Sequence, residues 1–294
     1  LGTIACGEPI LAEENIEAYD DIPNNIKCDF TLICKGDSMI NARINDGDTN
    51  NEPSYCLDPT VPEVREYVRS TVRKMTEWGY ELIKHDYTTY DLFGSFGCML
   101  NGKITAKDGW SFHDESKTSA EIVSELYGVI REAAGDAVVI ACNAVSHLSA
   151  GIFEVYRTGD DTSGRLWSRT RAYGVNTLAF RLCQNNAFYK IDADCVGIIP
   201  GMIDWSLNRQ WLDILSVSGS PLFISVKPDD ITDGMKEDIK KAFFRNSGQK
   251  DKAEPLDWLY NNQPQWWLIN GEKREYDFVE NSYPELLSGS TQSY

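Results

Sequence analysis

Residues 51–254 are predicted to form an α/β domain on a parallel sheet, and three observations lead there. Short apolar runs ending in charged residues recur, at YELIKHD (80–86) and AVVIACN (137–143). Each is preceded by a segment whose apolar residues fall at helical spacing. Each of those segments closes on a glycine, Gly79 and Gly135, where a helix commonly ends. Alternation of this kind implies parallel strands joined by crossover helices.

The elements follow in order. DGDTNNEP (46–53), rich in turn formers, separates two differently patterned regions and sets a boundary near residue 50. Val61, Val64, Val68, Val72 and Met75 with Pro62 in the first turn predict a helix over 61–78. YELIKHD then reads as a buried strand opening at its carboxyl end. Thr118 and Glu121 have capping-box spacing, and Ile122, Leu126, Val129 and Ile130 form one apolar face. Further strands are expected at IFEVYR (152–157), FYKID (188–192) and PLFIS (221–225), with helices near 163–173, 202–217 and 234–245. The interval from Asn143 to Ile152 is short for a parallel crossover and is expected to lack a full helix. From Pro255, aromatic clusters flank the Asn270-Gly271 turn signal, which predicts a hairpin or the start of a small β domain. Trp266 and Trp267 could stack on sugar or pack in a core.

Composition narrows the function classes. A formal charge of -17 without a basic run argues against binding to nucleic acid or anionic lipid, both of which need a dense cationic face. A neutral substrate suits such a surface. The eight cysteines are scattered singly without a C-x-x-C pair, and His85, His113 and His147 are not at metal-ligand spacing. No metal or cofactor is expected. No apolar run reaches the roughly 18 residues of a membrane span, and the start lacks a basic region followed by an apolar run. Reduced thiols and the absence of such signals predict a cytoplasmic protein with no membrane partner; its oligomeric state is left open.

Candidate chemistry sits at strand ends. Asp86 follows Lys84 and His85 where a parallel barrel exposes catalytic side chains, and period two puts Lys84 on the same strand face. An aspartate there is either catalytic or a loop hydrogen-bonder. Arg157 ends another strand and is followed by Asp160 and Asp161, which are either acid/base groups or a helix N-cap pair. Asp192 and Asp194 end the next strand, would share a face by alternation, and could bind sugar hydroxyls or neighbouring loops.

From about 55 to 290 the chain resembles the α-galactosidase superfamily, particularly glycoside hydrolase family 36. The matching stretches, in family order, are LDPTVPEVREYV, WGYELIKHDY, RTGDDTSGRLW and SGSPLFIS. The resemblance implies a retaining glycosidase on a (β/α)₈ TIM-type barrel, acting on an α-galactoside. It makes Asp86 the nucleophile, Asp161 the general acid/base with Asp160 the alternative, and Lys84 a partner of substrate hydroxyls. Cys142 and Asn143 match positions lining the sugar pocket, and Arg157 resembles a sugar-hydroxyl donor. In such a mechanism Asp161 protonates the glycosidic oxygen while Asp86 attacks, and water activated by Asp161 then releases the sugar with its configuration retained. The five strand positions found correspond to about strands 4–8 of the barrel, so the resemblance implies a partial barrel, followed by a short β-rich tail from 255 to 294. A catalytically inactive sugar-binding or structural remnant is the alternative.

Residues 1–49 resemble the start of the LexA/CI-type repressor autopeptidase domain, a small β fragment. LGTIACGEPILAEENIE places Cys6-Gly7 at the self-cleavage bond, and CDFTLICKGDSMINARINDGD places Ser38 at the nucleophile. A serine nucleophile of that kind needs a lysine base from a later strand, and no such strand follows at once. Lys74 belongs to the predicted helix over 61–78, so Ser38 is expected to be an inert turn hydroxyl, with a self-cleaving fragment as the remaining alternative.

Overall fold

The computed structural model describes the backbone of residues 3–6, then residues 57–86, 88, 92, 112–162, 164–248 and 252–278. Ser38, Gly7, the 46–53 boundary segment and the tail beyond Phe278 lie outside the described residues. The chain divides into two compact units between Val155 and Tyr156.

In the first unit, β1 (Thr3–Cys6), β2 (Leu82–His85) and β3 (Val138–Ala141) lie side by side in that order. Both pairings are parallel, with Ile4 opposite Ile83 and Ile83 opposite Val139. A strand of the opening segment therefore joins the same sheet as the predicted α/β part, which removes an exposed edge from β2. Two helices precede β2 and β3. α1 (Pro62–Glu77) has Pro62 at its first position and buries Val64, Val68 and Val72. Gly79 follows it at φ 87°, a conformation that glycine adopts without a Cβ penalty. α2 (Ser119–Ala134) starts in the predicted capping box, with Thr118 and Glu121 bonded reciprocally, and buries Ile122, Leu126 and Ile130. Arg65–Glu125 and Arg69–Glu132 ion pairs, 3.4 and 3.2 Å, tie α1 to α2 above that apolar contact. Asp58 staples the entry to α1: its buried carboxylate accepts from Thr60 N, Thr60 Oγ1 and His113 N at 2.8, 2.7 and 2.6 Å. The short interval after β3 holds only the four-residue helix α3 (Ser146–Ser149), as its length predicts.

In the second unit, β4 (Val155–Arg157), on which the boundary falls, lies beside β5 (Lys190–Asp192). β6 (Val196–Ile198) pairs in parallel with β7 (Ile224–Val226). Only the last three residues of the expected 152–157 strand are extended. β6 was not expected; three apolar residues after a turn are too short to show a period. The helix expected at 163–173 is displaced and irregular. It starts as α4 (Trp167–Arg169), widens into a π-helix over Thr170–Val175 and resumes as α5 (Asn176–Arg181). The widening turns Arg171 fully inward, where Nη1 donates to the Phe278 carbonyl at 3.1 Å. α6 (Trp205–Ser218) is capped by Asp204 and ends at Gly219 with φ 83°, and α7 (Asp233–Gly248) packs along it.

The tail forms a three-stranded antiparallel sheet, β10 (Glu272–Glu275), β9 (Trp266–Ile269) and β8 (Ala253–Pro255) in that order. Asn270 and Gly271, both at positive φ, make the predicted hairpin turn. Trp267 is fully buried with Trp211, Leu215 and Phe278, and its indole donates to the Pro264 carbonyl. At roughly 25 cal/mol per Å² over 150–250 Å², each such tryptophan contributes about 4–6 kcal/mol of transfer free energy. Trp266 lies half-buried under the Lys273 ammonium, 3.8 Å from its ring centre. Of the two, only Trp267 belongs to the buried core. Asp213 of α6 fastens the sheet by accepting from Arg274 at 2.9 Å, Tyr276 Oη at 2.6 Å and Arg245 of α7.

Candidate active site

Two groups of strand-end residues carry the chemistry-bearing side chains, one in each unit. In the first, Ile83 and His85 of β2 are buried while Lys84 and Asp86 are half-buried, the alternation a pleated strand imposes. Asp86 stands just beyond the carboxyl end of β2. Asn143 stands just beyond β3 in a left-handed conformation, φ 46°, and its Nδ2 donates to Asp86 Oδ1 at 2.6 Å. The parallel register makes this possible, because it aligns His85 with Ala141 and so brings the two strand ends level. Cys142 is buried behind them, its amide donating to the His85 carbonyl. The His85 ring packs between Tyr127 and Phe153, with Nδ1 sharing a hydrogen bond with Thr88 Oγ1. Burial holds its pKa down at about 4 despite the neighbouring Asp86 charge, so the ring is neutral.

In the second unit, Arg157 at the end of β4 is the centre. Its side chain is 4% exposed, and Nη2 lies 2.9 Å from Asp161 Oδ1 and 2.7 Å from Asp194 Oδ2. Asp194 also accepts from Thr162 N and Thr162 Oγ1 at 2.7 and 2.9 Å. Asp160 orders the loop by accepting from Asp161 N at 2.7 Å and pairing with Arg169 at 3.3 Å; Arg169 Nε donates to the Asp161 carbonyl. Asp161 itself is largely exposed, with Oδ1 on the guanidinium and Oδ2 bonded to no described residue. Burial, with the adjacent Asp194 charge, pushes the Cys195 thiol up to about 12. Gly159 lets the loop turn this tightly, since a Cβ there would overlap the Tyr173 carbonyl.

Among residues singled out in the sequence, Asp86 and Asn143 meet, and so do Arg157, Asp161 and Asp194. Asp192 and Asp194 do not share a strand face: β5 ends at Asp192, and Asp194 has φ 77°. Asp192 is buried and accepts from Asp194 N at 2.9 Å, a loop role, whereas Asp194 turns to Arg157. Sequence reasoning passed over Thr162 and Arg169. Their signal was position alone, Thr162 directly after the paired aspartates and Arg169 eight residues after Asp161. Among the described residues no group of three or more His, Cys, Asp or Glu could hold a metal ion, and no helix is long and apolar enough to cross a membrane.

Comparison with known proteins separates the chain into two likenesses. Residues 1–50 match the Peptidase S24-like family model. The LexA repressor of Leptospira biflexa is 53% identical over 51 residues, covering 16% of this chain and 25% of that protein. The LexA repressor of Teredinibacter turnerae is 51% identical over 51 residues, covering 16% and 26%. Over most of its length the chain resembles solved glycosidases. TtGalA, an α-galactosidase of Thermus thermophilus in complex with p-nitrophenyl α-D-galactopyranoside, superposes with a TM-score of 0.55 at 17% identity, covering 79% of this chain and 45% of that one. The family 36 α-galactosidase AgaA of Geobacillus stearothermophilus, in complex with stachyose, gives a TM-score of 0.51 at 12% identity, covering 91% and 34%. The chain thus spans about a quarter of those curated relatives and between a third and a half of those structures. It is a mixed α/β chain with a parallel sheet, similar in fold to TIM-barrel α-galactosidases and, over its first 50 residues, similar in sequence to LexA-type repressors.

Proposed function

We propose that this chain is a retaining glycoside hydrolase acting on α-galactosides, with Asp86 as nucleophile and Asp161 as general acid/base. The observation that carries the reading is the Asp86–Asn143 pair at the level carboxyl ends of neighbouring parallel strands, in a fold similar to α-galactosidases. A neutral amide donor such as Asn143 orients the carboxylate without itself adding a charge to it. Asp161, gripped through Oδ1, offers Oδ2 to a glycosidic oxygen and later to water. The roles proposed for Lys84, Cys142, Asn143, Arg157, Asp160, Asp192 and Asp194 are to hold sugar hydroxyls or the groups that touch them. The parallel strands are taken as part of a (β/α)₈ barrel spanning residues 51–254, with 1–49 the repressor-like segment and 255–294 the β-rich tail. The free thiols of Cys142, Cys183 and Cys195 fit a reducing compartment, which we take to be the cytoplasm.

The test is hydrolysis of p-nitrophenyl α-galactoside. Asp86→Gly lowers kcat on the order of a thousandfold or more, and added azide restores turnover as a β-galactosyl azide. A folded parent chain without turnover refutes the reading and leaves a sugar-binding or structural remnant. The sequence match of residues 1–50 favours a second activity, scission of the Cys6–Gly7 bond by Ser38. An intact mass that is unchanged after alkaline incubation dismisses it.

A further inference from the structure

An open cleft of about 680 Å³ in the second unit lies between α5 and the turn joining β8 to β9, and none of its residues enters the chemistry above. That volume is within the range of small-ligand sites. Its walls include Asn176, Phe180 and Arg181 from the helix and Trp258, Tyr260 and Asn262 from the turn. Trp258 is 44% exposed and Tyr260 92%, with Leu259 beside them also in solvent.

Such exposure in a loose loop would mean little, but the backbone of this turn is tied by several hydrogen bonds. Asp257 accepts from Trp266 N at 3.0 Å, Gln265 N at 3.2 Å and Asn261 Nδ2 at 3.3 Å, while its carbonyl takes the amides of Tyr260 and Asn261. Asn176 Nδ2 reaches across from α5 to the Asn262 carbonyl at 2.6 Å. Phe180 meets Trp258 edge to face, 5.8 Å between centres. A backbone fixed at these points, with aromatic side chains presented to solvent, lowers the cost of ordering the turn on binding.

The lining selects the ligand chemistry. It contains no carboxylate and one cation, Arg181, whose guanidinium forms no ion pair among the described residues. A phosphorylated or strongly anionic ligand calls for several cations. Half-exposed Trp258 and exposed Tyr260, flanked by amides and the Arg181 guanidinium, suit a ring with a C–H face and hydroxyl edges: C–H groups against the aromatic rings, hydroxyls towards Asn262, the Asn176 side-chain carbonyl and Arg181. We propose that this cleft is a second, non-catalytic carbohydrate site. The choice of a galactosyl oligosaccharide as its ligand rests on the glycosidase reading.

The experiment titrates the Asp86→Ala full-length chain with raffinose by calorimetry. The expected result is a millimolar binding event weakened at least about tenfold by Trp258→Ala and by Tyr260→Ala, with p-nitrophenyl α-galactoside turnover unchanged when Tyr260→Ala is placed in the parent chain. Tyr260 is nearly fully exposed, so its loss leaves folding intact. No such event, or one that both variants leave unaltered, overturns the proposal. So does concentration-dependent self-association in sedimentation that Tyr260→Ala abolishes and raffinose does not affect. A parent chain without turnover that still shows the Tyr260-dependent event sinks the catalytic reading alone.

Discussion

Replacing Asp194 tests the organisation of the Arg157 cluster directly. Its carboxylate is the acceptor for Arg157 Nη2, Thr162 N and Thr162 Oγ1, in surroundings that leave the arginine side chain 4% and the aspartate 13% exposed. In Asp194→Ala the Thr162 amide, on a residue with no exposed surface, loses its acceptor, at about 1–3 kcal/mol. The Thr162 hydroxyl loses little, because the Cys195 carbonyl lies 2.8 Å away as a second acceptor. Removing one member of a buried ion pair costs about 3–5 kcal/mol in full, but Arg157 keeps Asp161, so only part of that is forfeited. The left-handed φ of 77° adds up to about 1 kcal/mol for alanine and little for asparagine. The sum is about 4 kcal/mol for Asp194→Ala and about 1–2 kcal/mol for Asp194→Asn, which retains a carbonyl for the Thr162 amide. Urea unfolding followed by tryptophan fluorescence reads the difference. With a slope of roughly 2 kcal/mol per molar, the midpoints fall by about 2 M and by about 0.5–1 M. Combining Arg157→Met with Asp194→Asn should destabilise by less than the separate effects added together, since each change removes the group that the other leaves uncompensated. Equal midpoints for the alanine and asparagine variants, or strict additivity in the double variant, refute the argument.

Three other outcomes follow from described geometry. His85 is buried neutral with a pKa of about 4 against an ordinary 6.5, so between those values the unfolded chain binds a proton that the folded chain refuses. Stability therefore declines as pH falls from about 6.5 towards 4, by up to about 3 kcal/mol in all, and above 6.5 this group contributes no pH dependence. Urea midpoints at pH 6.8 and 5.2 should differ less in His85→Met than in the parent, and an unchanged difference rejects the cause. Iodoacetamide at pH 8 should alkylate exposed Cys183 well before buried Cys142 or half-buried Cys195, the latter having its thiol held near 12; peptide mapping that finds Cys195 modified first contradicts this. Gly164 has φ 71° and would drive a Cβ within 2.4 Å of the Gly197 backbone, so Gly164→Ala should cost more than about 3 kcal/mol and lower the melting temperature by at least about 6 °C. A calorimetric shift below about 1 °C shows the backbone yielding freely.

Sequence periodicity located α1 and α2 well because each has one apolar face and explicit ends: Pro62 and Gly79 for the first, the Thr118–Glu121 box for the second. The Asn270-Gly271 hairpin was legible for the same reason, a local conformation that only certain residues adopt readily. The region 163–181 was not. A π segment has no 3.6-residue period, so the pattern that would reveal it is the one it breaks. β6 failed for want of length. In the strand-end groups, Asp86, Arg157 and Asp161 could be singled out from their neighbours in the chain. The inward turn of Asp194 onto Arg157 depends on a single left-handed residue after β5, and alternation carried through that residue gives the opposite face.

The widened turn at Thr170–Val175 also sets how the chain tolerates changes in length. A π segment carries one residue more per turn than an α-helix, so deleting one residue there leaves enough chain to close an ordinary helix across the gap. The deletion is survivable locally and leaves the side chains beyond it on nearly the same bearing, because the widened turn absorbs its extra residue within itself. A deletion in the regular helix Asn176–Arg181 instead rotates every later side chain by about 100° and carries Phe180 away from Trp258. Deletions inside the widened turn and just beyond it should therefore separate two properties that substitutions leave entangled, the folding of the helix and the direction in which its aromatic face points.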